Sequence, residues 1–171
     1  METRDAIRAR RNVRRYAERP IAPDDLDAIL EAARRTPSSM NQQAWDFVVV
    51  TERPALESLS HVWRYASHVS SSAATVALVM PTSTDADERE TYQYDLGQAT
   101  MSMMLAAADL GIGSCHAALD DQSLARELLG VPEEREVAWL VSLGYPAGRD
   151  LEPLDDIDRR PLGDVVHRER W

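Results

Sequence analysis

The sequence predicts a single-domain α/β sandwich, and three observations carry that expectation. Short apolar, β-branched runs at Trp45–Thr51, Thr75–Met80 and Val137–Leu143 read as strands. Around them apolar residues recur at helical spacing, as at Leu26, Ile29, Leu30 and Ala33. Finally, 171 residues at 44% hydrophobic content, with no internal repeat and no linker-like stretch, suit one domain over residues 1–171.

Taken in order, residues 3–11 read as a short helix with Thr3 as N-cap and Asp5 in its positive first turn. The chain then extends through Asn12–Tyr16, and Pro20 and Pro23 bracket a turn. The helix carrying Leu26 to Ala33 follows; Arg34 and Arg35 suit its last turn and Pro37 ends it. Trp45–Thr51 and Thr75–Met80 are apolar enough to be buried strands, with partly helical sequence at 52–72. Residues 82–91 read as an exposed acidic loop. The longest helix runs from about Tyr92 to Leu110 and is apolar around most of its circumference, as a helix buried on several sides is. Its small residues Gly97, Ala99, Ser102, Ala106 and Ala107 suit either a dimer interface or a core helix of a monomer. Gly111–His116 turns into a short extended piece. Asp121 caps the next helix, which Gly130 and Pro132 end. Val137–Leu143 reads as a central strand, and the tail spaces Leu154, Leu162, Val165, Val166 and Trp171 regularly enough to predict that it packs on something.

Composition removes several function classes. A net charge of −10 argues against a broad nucleic-acid surface, because that affinity comes from neutralising phosphates. All 19 basic residues are arginine, so neither a Schiff-base lysine nor a phosphate loop ending in Lys is available. Seven of the 19 fall within the first 19 positions. No apolar run is long enough to span a membrane, and Met-Glu-Thr-Arg-Asp lacks a signal-peptide core. With a single Cys115, the expected compartment is the reducing cytoplasm.

Two segments carry recognisable chemistry. If Asn12–Tyr16 is extended, period-two alternation puts Arg10, Asn12 and Arg14 on one face and Arg11 and Arg15 on the other. Two guanidinium forks and an amide there could receive a phosphate dianion; the same residues could equally form a solvated arm. Thr36–Trp45 offers small hydroxyl and amide side chains beside a strand, suited to the polar edge of a planar heterocycle or to an ordinary turn. His61, His68, His116 and His167 lack metal-ligand spacing, Cys115 reads as a buried structural thiol, and Ser38 and Ser39 have no evident triad partners.

Several segments together resemble the nitroreductase family of FMN-dependent NAD(P)H oxidoreductases. They are Arg10–Tyr16, Ala33–Val50, Asp95-Leu96-Gly97, Ala106–Ser114, Leu128–Pro132, Leu143–Pro146 and Arg159–Leu162, which stand in the family's order across most of the chain. The resemblance implies a three-layer sandwich, a central mixed sheet flanked by helices, with the C-terminal tail packing on the partner subunit. It implies a homodimer that builds two FMN sites from both chains. Carried over by position, Arg10, Arg11, Asn12 and Arg14 form the phosphate segment, although alternation assigns Arg11 to packing or the dimer, and Arg160 is a further phosphate partner. Pro37, Ser38, Ser39 and Asn41 approach the flavin from the neighbouring subunit. His116, Ala117 and Ala118 lie along the isoalloxazine. The family usually has Ser at Asn12 and Pro at Ala44, and a basic or amide residue before the second strand, for which Arg64, His61 and His68 are the candidates here.

The resemblance further implies hydride passing from NADH or NADPH through flavin to a small electrophilic acceptor such as a nitroaromatic or quinone, in a ping-pong cycle that requires no catalytic side chain. Other uses of a flavin site stay open: flavin fragmentation, dehalogenation, heterocycle oxidation, or non-catalytic flavin binding. A soluble domain with an RNA-binding arm is the reading outside the flavoproteins.

Overall fold

The structure, a computed structural model, describes residues 1–171. Four strands form one sheet in the order β1-β2-β4-β3: β1 is Asp46–Val50, β2 Ala74–Pro81, β3 Gly113–Ala117 and β4 Arg135–Gly144. All three strand pairs are antiparallel, with register shifting between Leu78 and Val79 where β2 meets β4. The one parallel contact is a bridge between Asn12 and Ser114, so the sheet is mixed only at the β3 edge. Two layers of helix enclose it. Helices α2 (Pro23–Arg34) and α4 (Ala86–Asp109) cover one face through Ile29, Val76, Leu78, Leu96, Met103 and Val141. Helices α3 (Arg53–Leu59) and α5 (Gln122–Leu129) cover the other, with Leu56, Leu59, Val79 and Leu140 at the centre. Helix α1 (Thr3–Ala9) leans on the end of α4. This is the three-layer sandwich expected.

Several local expectations change. The α1 N-cap is Glu2, and Thr3 is already helical. β1 is an edge strand, with only Val50 buried, because it has a single neighbour and stands at the margin of both helix layers, Phe47 packing toward one core and Val48 toward the other. Residues 86–91 are helical, not a loop. Asp85 caps them by accepting from the Asp87 amide, Asp87 and Glu88 favour the positive end of α4, and Arg89 pairs with Glu136 on β4. An acidic, solvated first turn shows no apolar period, so α4 starts earlier than its core pattern does. Its circumference is also not fully covered, since Tyr94 and Met101 are exposed. At α5, Asp121 accepts from the Leu124 amide and Gly130 closes the helix at φ +64, as predicted. Within one chain the tail packs only at its beginning. Leu151 is buried and Arg8 pairs with Asp155, whereas every residue from Asp155 onward is exposed.

Candidate functional site

The N-terminal segment is pinned to the sheet at both ends. Val13 N–H donates to the Ser114 carbonyl at 2.9 Å, and Ala17 N–H to Tyr145 at 2.8 Å. The buried Tyr16 hydroxyl lies 2.7 Å from Ser142 Oγ on β4, and burial holds its pKa well above the usual phenol value. The approach is close enough to require glycine. A Cβ on Gly113 would lie 2.6 Å from Val13, and one on Gly144 would lie 2.7 Å from Tyr16.

This docking fixes where the arginines point. Asn12 stands opposite Ser114, in parallel register, beside the strand that carries the exposed His116. Arg10 Nη1 donates to Asn12 Oδ1 at 3.4 Å, which leaves the Asn12 amide as a donor. Neither Arg10 nor Arg14 has a carboxylate partner, unlike Arg8, Arg34, Arg35, Arg89, Arg135 and Arg149. Their positive field reaches along β3. Burial first, and then Arg10 and Arg14, lower the His116 pKa. Two uncompensated guanidinium groups flanking an amide donor in a strongly acidic protein suit a phosphate dianion. Arg11 turns away: its Nη2 donates to the carbonyls of Arg149 and Asp150 at 2.7 and 2.8 Å, tying the start of the tail to the body.

From Arg14 a cavity of about 600 Å³ opens over β3, walled by Trp63, Arg64, Tyr65, His68, His116 and Trp139 among others. Trp139 meets His116 edge-on at 5.9 Å, and Trp63 meets Tyr65 at 5.0 Å. No carboxylate lines it. Aromatic walls with cations at the rim suit a planar, electron-poor ring bearing an anion, so the cavity and the arginine edge fit FMN together. Ala118 lines this cavity, while the Ala117 side chain is buried in the opposite core, leaving only its backbone for a ligand on this side. Sequence reading missed the three aromatics. Trp139 in particular lies on a central strand, where burial is the natural expectation, yet it is 40% exposed.

Pro37, Ser38, Ser39 and Asn41 are elsewhere in the same chain. Pro37, Ser38 and Ser39 line a separate hollow against α4 with Asp87, Glu90 and Tyr94. The loop is over-determined: the buried Asp95 accepts from the Ser39 amide at 2.9 Å, and Ser38 Oγ accepts from the Gln43 amide at 2.9 Å. Those anchors hold Met40, Asn41 and Gln43 at φ +48, +56 and +52, a conformation costly for residues with a Cβ and concentrated at functional loops. Arg160 lies on the exposed tail, donates to the Asp164 carbonyl at 2.6 Å, and does not line the aromatic cavity. His61 does not line the cavity, whereas Arg64 and His68 do.

Comparison with known proteins agrees with this architecture. The model of the nitroreductase family matches residues 7–145. A protein of Archaeoglobus fulgidus named as an NADH dehydrogenase/NAD(P)H nitroreductase is 34% identical over 169 residues, covering 96% of each chain. An NADPH-flavin oxidoreductase of Vibrio harveyi is 25% identical over 99% of this chain and 74% of its own. The solved structure of an FMN-dependent nitroreductase from Clostridium difficile superposes with a TM-score of 0.83 at 25% identity, over 97% of this chain and 98% of its own.

Proposed function

The chain belongs to the nitroreductase family, and from that membership and its site we infer that it is an FMN-dependent NAD(P)H oxidoreductase. The observation that carries the reading is the pair of unneutralised arginines, Arg10 and Arg14, held with Asn12 at the β3 edge beside the aromatic cavity. In this assignment Arg10, Asn12 and Arg14 bind the phosphate, and Arg11 secures the segment from behind. His116, Ala118 and the backbone of Ala117 run along the isoalloxazine. When bound, FMN supplies a ring that takes two electrons from NAD(P)H and passes them to an acceptor. The chain's own part is to bind, orient and exclude water. It needs no side-chain acid or base for hydride transfer, and no catalytic residue is assigned. The acceptor is a small electrophile of the nitroaromatic or quinone kind. Donor and acceptor use the same opening in turn, which makes the cycle ping-pong.

The site is completed by a second copy of the chain. Support comes from the separation within one chain of Arg14 from Pro37, Ser38 and Ser39, which line different cavities. Further support comes from apolar tail residues left open, including Ile157, Leu162, Val165 and Trp171. In the homodimer the loop and Arg160 approach the partner's flavin. The test is direct: purified protein should be yellow, release FMN on denaturation, and oxidise NADH or NADPH with a quinone. A colourless protein that cannot be reconstituted with FMN overturns the reading.

A further inference from the structure

Arg64 stands in a turn that the rest of the chain holds still. The Ala66 amide donates to the Trp63 carbonyl at 2.9 Å, and the amides of Asp120 and Asp121 donate to the Val62 carbonyl at 3.0 and 3.1 Å. Tyr65, held edge-on to Trp63, carries the Arg64 guanidinium over its ring at 4.8 Å from the centroid. Such a cation–π seat orients the guanidinium without using its N–H groups. Arg64 is exposed and pairs with no carboxylate, unlike Arg8, Arg34, Arg35, Arg89, Arg135 and Arg149. Asp121, although tied to Val62, turns its carboxylate to the Leu124 amide.

Among the groups lining the aromatic cavity, Arg64 is the cation left over once FMN is in place. Arg14 is assigned to the flavin phosphate. Burial first, and then the neighbouring arginines, lower the pKa of His68 and His116, so both rings are neutral at pH 7. A free planar fork beside aromatic walls, with no carboxylate in the lining, suits an aromatic ligand that bears its own anion. That anion must lie close to the reacting ring, because Arg64 lines the same cavity as the ring. A carboxylate or sulfonate on a small acceptor meets this condition. The ribose phosphate of NADPH does not, since two riboses and a pyrophosphate separate it from the nicotinamide.

Resting on the FMN reading above, we propose that Arg64 is a specificity-determining residue that selects aromatic acceptors carrying an anionic substituent, an aryl carboxylate or sulfonate. Its guanidinium grips the substituent while the acceptor's ring lies among the aromatic walls. With a quinone of this class, NAD(P)H is oxidised to NAD(P)+ and, with one proton from water, the quinone is reduced to the hydroquinone; the anionic group is held and unchanged.

The test compares parent, Arg64→Gln and Arg64→Lys, each loaded with FMN. The quantity read is the ratio of kcat/KM for a naphthoquinone sulfonate to that for menadione, a neutral quinone. A ratio taken within one protein cancels differences in flavin content. R64Q should lower it about tenfold, the usual worth of a hydrogen bond to a charged group, and R64K, which keeps the charge but not the fork, should recover part of the loss. Benzoate, which is not reduced, gives a readout apart from turnover. It should perturb the absorbance of the bound flavin with a dissociation constant about tenfold lower in the parent than in R64Q. A ratio and a benzoate constant shared by parent and R64Q overturn the proposal and leave the FMN reading standing. An R64Q protein that loses its preference between NADPH and NADH instead, or only its FMN affinity, places Arg64 on the donor or the cofactor and likewise overturns it. A parent that takes up no FMN overturns both readings.

Discussion

Arg10 and Arg14, unlike Arg8, Arg34, Arg35, Arg89, Arg135 and Arg149, have no carboxylate partner, and that difference carries their value to a ligand. A guanidinium already paired with a carboxylate must give up that partner before it binds phosphate; an unpaired one gives up only water. Arg14→Ala should cost about 1.5–3 kcal/mol of FMN binding, the usual worth of a hydrogen bond to a charged group, measured by titrating the FMN-free protein. Arg11→Ala should change FMN affinity little, since its guanidinium is committed to two backbone carbonyls of the tail. The histidines add a pH dependence. His68 and His116 have pKa values below the ordinary 6.5, so the unfolded chain binds their protons more readily than the folded one. Their contribution to stability is complete above about pH 6.5 and declines as pH falls below it. Thermal unfolding of H68Q should consequently lose less between pH 7.5 and 5.5 than the parent does.

At the level of elements, the site depends on how closely the 12–16 segment lies against β3 and β4. Gly144→Ala places a methyl 2.7 Å from the Tyr16 ring, and pushing that ring back moves Arg14 with it. The substitution should destabilise the fold by about 1–3 kcal/mol, the usual range for overpacking, and loosen FMN binding more than Gly148→Ala, where nothing lies within 4 Å. Helix α5 offers a separate check on local reasoning. Asp121→Ala removes the acceptor for the Leu124 amide and should cost about 1 kcal/mol in chemical denaturation, with no effect on FMN. Its cap and its terminal Gly130 were legible because both signals lie within one turn of the helix they delimit. The start of α4 was not. Its first six residues, Ala86–Thr91, include no buried side chain, and only the capping geometry and the Arg89–Glu136 pair reveal that they are helical.

On the scale of the whole molecule, one chain exposes surfaces that a second copy would cover. Trp171 is 99% exposed, Tyr94 projects from α4, and no residue of the tail beyond Asp155 is buried against its own body. The proposed homodimer predicts twice the monomer mass in light scattering at micromolar concentration. Deleting residues 156–171 should shift the protein toward monomer and weaken FMN binding together, because in the proposed dimer the tail would reach the partner's site. A truncated chain that stays dimeric with unchanged affinity would place the interface elsewhere.

What the sequence determined by itself is what neighbouring residues decide among themselves. The strand and helix periods, the α5 caps, the alternation of Arg10, Asn12 and Arg14, and the ordered family segments are all of that kind. They yielded the sandwich and the proposed phosphate edge. The tertiary structure decided what meets across the chain. Asn12 pairs with Ser114, Tyr16 with Ser142, and Ser39 with Asp95, and Trp63, His68, His116 and Trp139 come to wall one cavity from three separate segments. The reason is physical. Periodicity and capping act over a few residues, whereas exposure of Trp139 or burial of His68 depends on which surfaces the sheet order leaves uncovered. The arginine edge was visible in the five residues Arg10–Arg14; the cavity it borders exists only once the chain is folded.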